Sequence, residues 1–246
     1  MSGDRVSWLA CGVAEVPDGD EWLTPPEAER LNRMRYEKRR SEARLGRWTA
    51  KQTLARELGF SGNPADLNRI VIRNAPDGAP YALVDGRSAP VTIAMTDRAD
   101  WAVCAVIGSE DRIGCDLELV EPRSQRFVAD YFTPAEQQLV LAGDVALLAN
   151  LIWSAKESAL KVLRTGLRRD TRSVDVRLGD GTGDPWSSLR VIADDGRIFP
   201  GWWLRSGDFL LTVAGAIEIP PPTSLLDPSP LATAMPTHTW MQTPLR

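Results

Sequence analysis

RIGCDLELV, residues 112 to 120, alternates without a break. Ile113, Cys115, Leu117 and Leu119 point one way; Gly114, Asp116, Glu118 and Val120 point the other, the period of two that a β-strand imposes. Two carboxylates therefore share one strand face. They repel each other unless a salt-bridging arginine or a hard cation sits between them, and the spacing leaves both readings open.

Working outward, TPAE at Thr133 is a capping box with proline at the first helical position, predicting a helix to about Ala142. Asp144 then caps a second helix through Leu163, with Gly166 as its stop. Strands follow around SVDVRL, SLRVIAD, GWWLRS and FLLTVAGAIEI. On the N-terminal side, IVI, YALV, VTIAM and WAVCAVI are separated by PDG, DGR and DRAD, the rhythm of antiparallel strands with tight turns. Residues 24 to 58 read as one helix, opening at Thr24 before Pro25 and Pro26 and stopping at Gly59. Each half thus offers a helix followed by strands, although no sequence repeat is apparent. The expectation is an α+β, pseudo-duplicated fold of two subdomains, each an antiparallel sheet packed with a helix. Residues 1–108 form the first half, 109–219 the second, and 220–246, rich in Pro, Thr and Ser, a disordered tail.

The second predicted helix carries WSAKESALK, residues 153 to 161. Glu157 and Lys161 are four apart and share a helix face, with Lys156 about 100° to the side of Glu157. An exposed salt bridge is the commoner meaning of such a pair. Glu157 lies 39 residues beyond Glu118, however, and adds a third carboxylate. Oxygen ligands of that kind suit Mg²⁺ better than zinc.

The 246 residues suffice for one large or two ordinary domains, and 43% hydrophobic with 25% charged residues is ordinary for a globular protein. The net charge of -4 gives no sign of a nucleic-acid binder, but residues 27 to 57 hold ten Lys or Arg against five Glu. Such a locally basic segment suits phosphates, or is a solvated helix face. Cys11, Cys104 and Cys115 sit among apolar neighbours without a CxxC pair and read as reduced core residues. No apolar run reaches membrane-spanning length and no signal-peptide pattern is present, so the expectation is a cytoplasmic protein. His238, the only histidine, falls in the tail, which leaves the folded body without histidine chemistry.

Gly114-Cys115-Asp116-Leu117-Glu118 followed by Trp153 through Lys161 resembles the paired signature of the 4'-phosphopantetheinyl transferases, a G-x-D-x-E strand and a W-x-x-K-E-x-x-x-K helix. The chain length resembles the larger, monomeric, two-half (surfactin-synthetase-activating) class. The resemblance runs over roughly residues 27 to 219. It implies transfer of 4'-phosphopantetheine from coenzyme A to a serine of an acyl or peptidyl carrier protein, of fatty acid, polyketide or non-ribosomal peptide assembly, leaving 3',5'-ADP. It implies Asp116, Glu118 and Glu157 as Mg²⁺ ligands, Glu157 as base, and Lys161 and Lys156 as phosphate-facing groups. Arg47 and Lys51, four apart on the basic helix, would face the nucleotide of coenzyme A, as would Pro80 in Gly78-Ala79-Pro80-Tyr81, which resembles the family's G-K-P-Y turn. Trp153 reads as a core residue positioning its helix, as do Leu139, Val140 and Leu141, while exposed apolar residues between 119 and 142 would receive the carrier protein.

The chain departs from the family where Thr96-Asp97-Arg98 stands for Ser-His-Ser or Ser-His-Arg, with Asp97 in the histidine's place; either Arg98 is the substitute contact for phosphate or phosphate recognition is weaker, unless Asp97 merely caps the turn. It also carries Arg164 where the family's G-x-G-L has its first glycine. Two other readings use the same residues: a metal-dependent pyrophosphate or nucleotide hydrolase, and a non-catalytic binder of coenzyme A or carrier protein.

Overall fold

The first half runs from strand β1 (Val6–Gly12) through helices α1 (Pro25–Asn32), α2 (Glu37–Glu57) and α3 (Pro64–Asn68). Strands β2 (Ile70–Asn74), β3 (Pro80–Val84), β4 (Arg87–Ser88), β5 (Val91–Arg98) and β6 (Trp101–Gly108) complete it. The second half repeats the plan: β7 (Ile113–Leu119), α4 (Gln125–Tyr131), α5 (Pro134–Leu141), α6 (Val145–Leu163), β8 (Val174–Gly183), β9 (Trp186–Ala193), β10 (Ile198–Ser206) and β11 (Phe209–Gly215). A short β12 (Thr223–Ser224) and α7 (Ser229–Ala232) follow. The structure, a computed structural model, describes residues 5–108 and 111–237, as backbone only at 181–183. His238 lies outside them.

The pairings show the duplication. β6 lies antiparallel between β1 and β5, and β11 lies antiparallel between β7 and β10. Hairpin β2–β3 corresponds to β8–β9. In the second half β9 also joins β10, giving one sheet in the order β7-β11-β10-β9-β8; the first half keeps β12-β1-β6-β5 and β2-β3-β4 apart. The fold is α+β with two sheet–helix subdomains, as expected. The halves share a core in which Val6, Trp8 and Ala105 meet Cys115, Leu117, Leu211 and Val213. This is the apolar face of the alternating strand, so the opposite face, with Asp116 and Glu118, turns toward α6.

The capping box of Thr133 with Glu136 forms, Glu27 likewise accepts the Thr24 N–H at 3.1 Å, and together they mark a T-P-x-E repeat that length and composition conceal. Asp144 caps α6 by accepting the Leu147 N–H at 3.0 Å. The helix over 24–58 is in fact two. Arg33 N–H turns back to Glu29 and Met34 N–H to Leu31, ending α1 where Leu31 is buried, and α2 then packs Leu45, Ala50 and Leu54 separately. Helix α6 ends at Leu163 as expected, but the stop is Arg164, which takes the left-handed conformation, φ 59°, rather than Gly166. Helix α4, capped by Ser124, lay in a stretch read without structure.

The stretch from Pro220 is not a loose tail within the described residues. β12 pairs with β1 in parallel at Ser7 and Trp8, and Leu231 is buried against the body. Compositional bias toward Pro and Ser hid the few apolar side chains that anchor it. All three cysteines are free and buried. Among the described residues, no helix is long and apolar enough to cross a membrane.

Candidate functional site

Gly114 decides how β7 meets α6. A Cβ there would stand 2.0 Å from the Ser158 carbonyl oxygen, so only glycine lets the helix backbone approach the strand this closely. Ser154 Oγ donates to the Asp116 carbonyl at 3.1 Å, and Ser154 and Ser158 both share hydrogen bonds with Thr212 of β11. These small hydroxyl residues, four apart on α6, hold the next helical face over the acidic strand.

Lys161 is the result. Its Nζ donates to Asp116 Oδ1 at 2.9 Å and to the Cys115 carbonyl at 2.7 Å. Burial opposes its charge, but Asp116 outweighs that and holds the ammonium above the ordinary lysine range. Thr96 of β5 donates to the same Asp116 oxygen at 3.2 Å. Glu157, half-buried, makes no hydrogen bond or ion pair among the described residues. Burial first, then the charge of Asp116, pushes its carboxyl up to about 7.

Glu118 has different company. Its Oε2 is 3.2 Å from Arg98 Nε and 3.0 Å from Arg123 Nη2, and Arg98 also bonds Glu121 at 2.5 Å. Burial and then Asp116 nevertheless raise the Glu118 pKa, against the pull of both arginines. The strand's carboxylate pair is therefore flanked by cations on both sides, Lys161 at Asp116 and two arginines at Glu118.

The carboxylates fit a hard cation in part. Among the described residues Asp116 Oδ2 is a buried acceptor without a hydrogen-bond donor, and the charge of Asp116 raises the affinity of both Glu118 and Glu157 for positive charge. Among the described residues, no three acidic, cysteine or histidine side chains are close enough to hold a metal as they stand.

Beside Lys161 a cavity of about 340 Å³ opens between the halves. Arg47, Pro80 and Lys161 line it, with Arg112 and Arg164 adding charge and Ile72, Met95 and Leu160 apolar wall. Arg47 is only 8% exposed, its Nε has no partner, and burial lowers its pKa. Glu27 pulls the other way but forms no ion pair with Arg47 among the described residues, and a buried guanidinium with an unmet N–H is a ready anion site. Among the described residues, Asp77 is the only acidic side chain on the lining.

Three expected site residues lie elsewhere. Lys51 is fully buried, donating to Glu27 at 2.7 Å and to the carbonyls of Trp22 and Leu67. Lys156 is likewise buried, donating to Glu136 and to the carbonyls of Thr171 and Val174. Neither can face a phosphate, because both ammonium groups are already saturated by interior acceptors. Arg98 is held by Glu118 and Glu121 rather than by the cavity. Asp97 belongs to β5, opposite Ala102, instead of capping a turn, and is not on the cavity lining. Trp153 packs on Phe127 and Tyr131, as a helix-positioning residue should, but Leu141 is 73% exposed rather than core. Arg112 and Arg164 were not foreseen as cavity residues; only the departure at Arg164 from the family pattern hinted at one.

Residues 112–206 match the family model of the 4'-phosphopantetheinyl transferase superfamily (ACPS). The matched stretch runs from the acidic strand through α6 to the end of β10, so the second half is similar to a domain of that superfamily, which fits phosphopantetheine transfer in general. No curated protein matches the chain.

Proposed function

We propose that the protein transfers 4'-phosphopantetheine from coenzyme A to a serine of an acyl or peptidyl carrier protein, in a Mg²⁺-dependent reaction that leaves 3',5'-ADP. The observation that carries this reading is the double position of Lys161. One ammonium lines a cation-rich cavity and bonds the acidic strand, so a diphosphate seated in the cavity ends beside Asp116 and Glu157.

Asp116 and Glu157 are the ligands we assign to Mg²⁺, with Glu118 as the third carboxylate of the set. The cation, when bound, supplies charge neutralisation across the phosphate oxygens. Arg47 and Lys161 hold the anion in place, and Lys161 stabilises the negative charge that accumulates as the reaction proceeds. Glu157 accepts the proton of the carrier serine. The serine oxygen forms a bond to the phosphorus that carries pantetheine, the bond from that phosphorus to the bridging oxygen breaks, and its electron pair leaves with 3',5'-ADP. The exposed Tyr131 and Leu141, on α4 and α5 beside α6, offer apolar contact to the carrier. The protein acts as a monomer in this reading.

Mass spectrometry of an apo carrier protein incubated with coenzyme A and Mg²⁺ tests it. Addition of one phosphopantetheine mass is the expected result. Consumption of coenzyme A without a modified carrier would instead make the protein a hydrolase, and binding without turnover a non-catalytic homologue.

A further inference from the structure

Arg164 ends α6 in a conformation that arginine adopts at a conformational cost and glycine adopts freely. Its side chain lines the cavity one helical turn beyond Lys161. Lys161 is committed to Asp116, whereas the Arg164 guanidinium meets Asp77, in the β2–β3 turn of the other half, at 3.5 Å. That is long for a charge-assisted bond, and both side chains are more than a third exposed or close to it, at 38% and 34%. Asp77 is independently anchored, its Oδ1 accepting the Ala79 N–H at 3.0 Å, so the turn does not need Arg164 to hold its shape.

We infer that Arg164 is a phosphate-binding residue of the cavity, and that Asp77 holds its guanidinium until a phosphate takes the carboxylate's place. The inference rests on the reading of the cavity as a nucleotide phosphate site. Among the described residues four cations, Arg47, Arg112, Lys161 and Arg164, face one carboxylate across the lining, and that carboxylate's hold on Arg164 is a weak, replaceable contact. A multiply charged phosphate offers Arg164 shorter, bidentate bonds than Asp77 provides, so the exchange favours the ligand. Asp77 thereby acts as a built-in competitor: it lowers affinity for weakly charged ligands and yields to strongly charged ones.

Calorimetric titration with 3',5'-ADP as probe, on the full chain, decides it. In Arg164→Gly the left-handed turn is relieved, so the melting temperature stays level or rises, while the dissociation constant increases about 10-fold. In Asp77→Asn the dissociation constant falls roughly 3-fold, and in the double variant it equals that of Arg164→Gly. Unchanged affinity in Arg164→Gly overturns the inference, as does weaker binding in Asp77→Asn or an Asp77 effect that persists without Arg164. The outcomes separate from those of the proposed function. A parent protein that binds 3',5'-ADP through Arg164 yet never modifies a carrier leaves this inference standing and removes the other; one that binds no 3',5'-ADP removes both.

Discussion

Lys156 and Glu136 meet 2.8 Å apart with side chains 0% and 1% exposed, and the contact is a copy of the one between Lys51 and Glu27 in the first half. In each copy the glutamate caps its own helix with one oxygen and uses the other to accept a strand N–H, Val176 in one half and Ile72 in the other. The lysine closes the arrangement on two carbonyls. Breaking such a pair strands a charge in the interior at a cost of about 3–5 kcal/mol. Lys156→Ala is therefore expected to lower unfolding free energy by that order in urea titration, and Lys156→Met with Glu136→Gln to recover a good part. A stable Lys156→Ala variant with lost carrier modification would instead return Lys156 to the chemistry.

Replacing Glu157 with Gln removes a charge and the proposed proton acceptor while keeping the shape of the side chain. We expect carrier modification to fall by roughly two or more orders of magnitude with little change in melting temperature. Near-parent turnover would remove Glu157 from both roles.

Gly114→Ala probes the close approach of β7 and α6. With Ser158 carbonyl oxygen 2.0 Å from the new carbon, strand and helix must separate, at about 1–3 kcal/mol for overpacking. Because Lys161 and Glu157 ride on that helix, turnover should drop at least about 10-fold as well. Parent-like unfolding in urea would mean that the contact yields without strain.

The thiols give a pH-dependent readout. Burial pushes Cys11 up to about 12 and Cys115 up to about 11, and raises Cys104 further still. The thiolate is the reactive form, so a disulfide reagent at pH 8 should leave all three unlabelled in the folded protein and label three in guanidinium. Because the folded pKa values lie above the unfolded ones, the folded state holds its thiol protons longer. Stability from this source is full below the unfolded values near 9 and is lost as pH rises toward the folded ones. Rapid labelling of the native protein at pH 8 would show that the core around β1 and β7 opens.

Leu231 anchors the last described segment. Leu231→Ala is expected to cost roughly 2–4 kcal/mol, as for other buried leucines. Removal of residues 220–246 should lower the melting temperature by more than this single change does. Equal melting temperatures for parent and truncated chain would mean that the segment's contacts add nothing.

The features that local physics governs were readable in the sequence. The alternation over Ile113–Leu119 fixes which face carries Asp116 and Glu118, and the caps at Thr133 and Asp144 set where α5 and α6 begin. What depended on distant partners was not readable. Helical spacing places Lys51 and Lys156 on their helices but cannot say that an interior carboxylate waits for each, because Glu27 and Glu136 arrive from separate helices. The signal was present in T-P-P-E and T-P-A-E, read only as caps. Arg98 misled for the same reason: the resemblance at Thr96-Asp97-Arg98 implied phosphate, while Glu121 lies on the following loop. Arg112 and Arg164 join the cavity from a strand start and a helix end that no spacing rule connects to Arg47.

β12 has a further consequence through its place at the outer side of β1. Two residues in parallel register and the Leu225 N–H donated to the Trp8 carbonyl at 2.8 Å occupy backbone groups that would otherwise face outward as an open row. Such a row is a template for any extended segment of a second molecule. The closing segment thus works as a guard against strand-to-strand self-assembly, and a shortened chain would gather into aggregates before its chemistry could be judged.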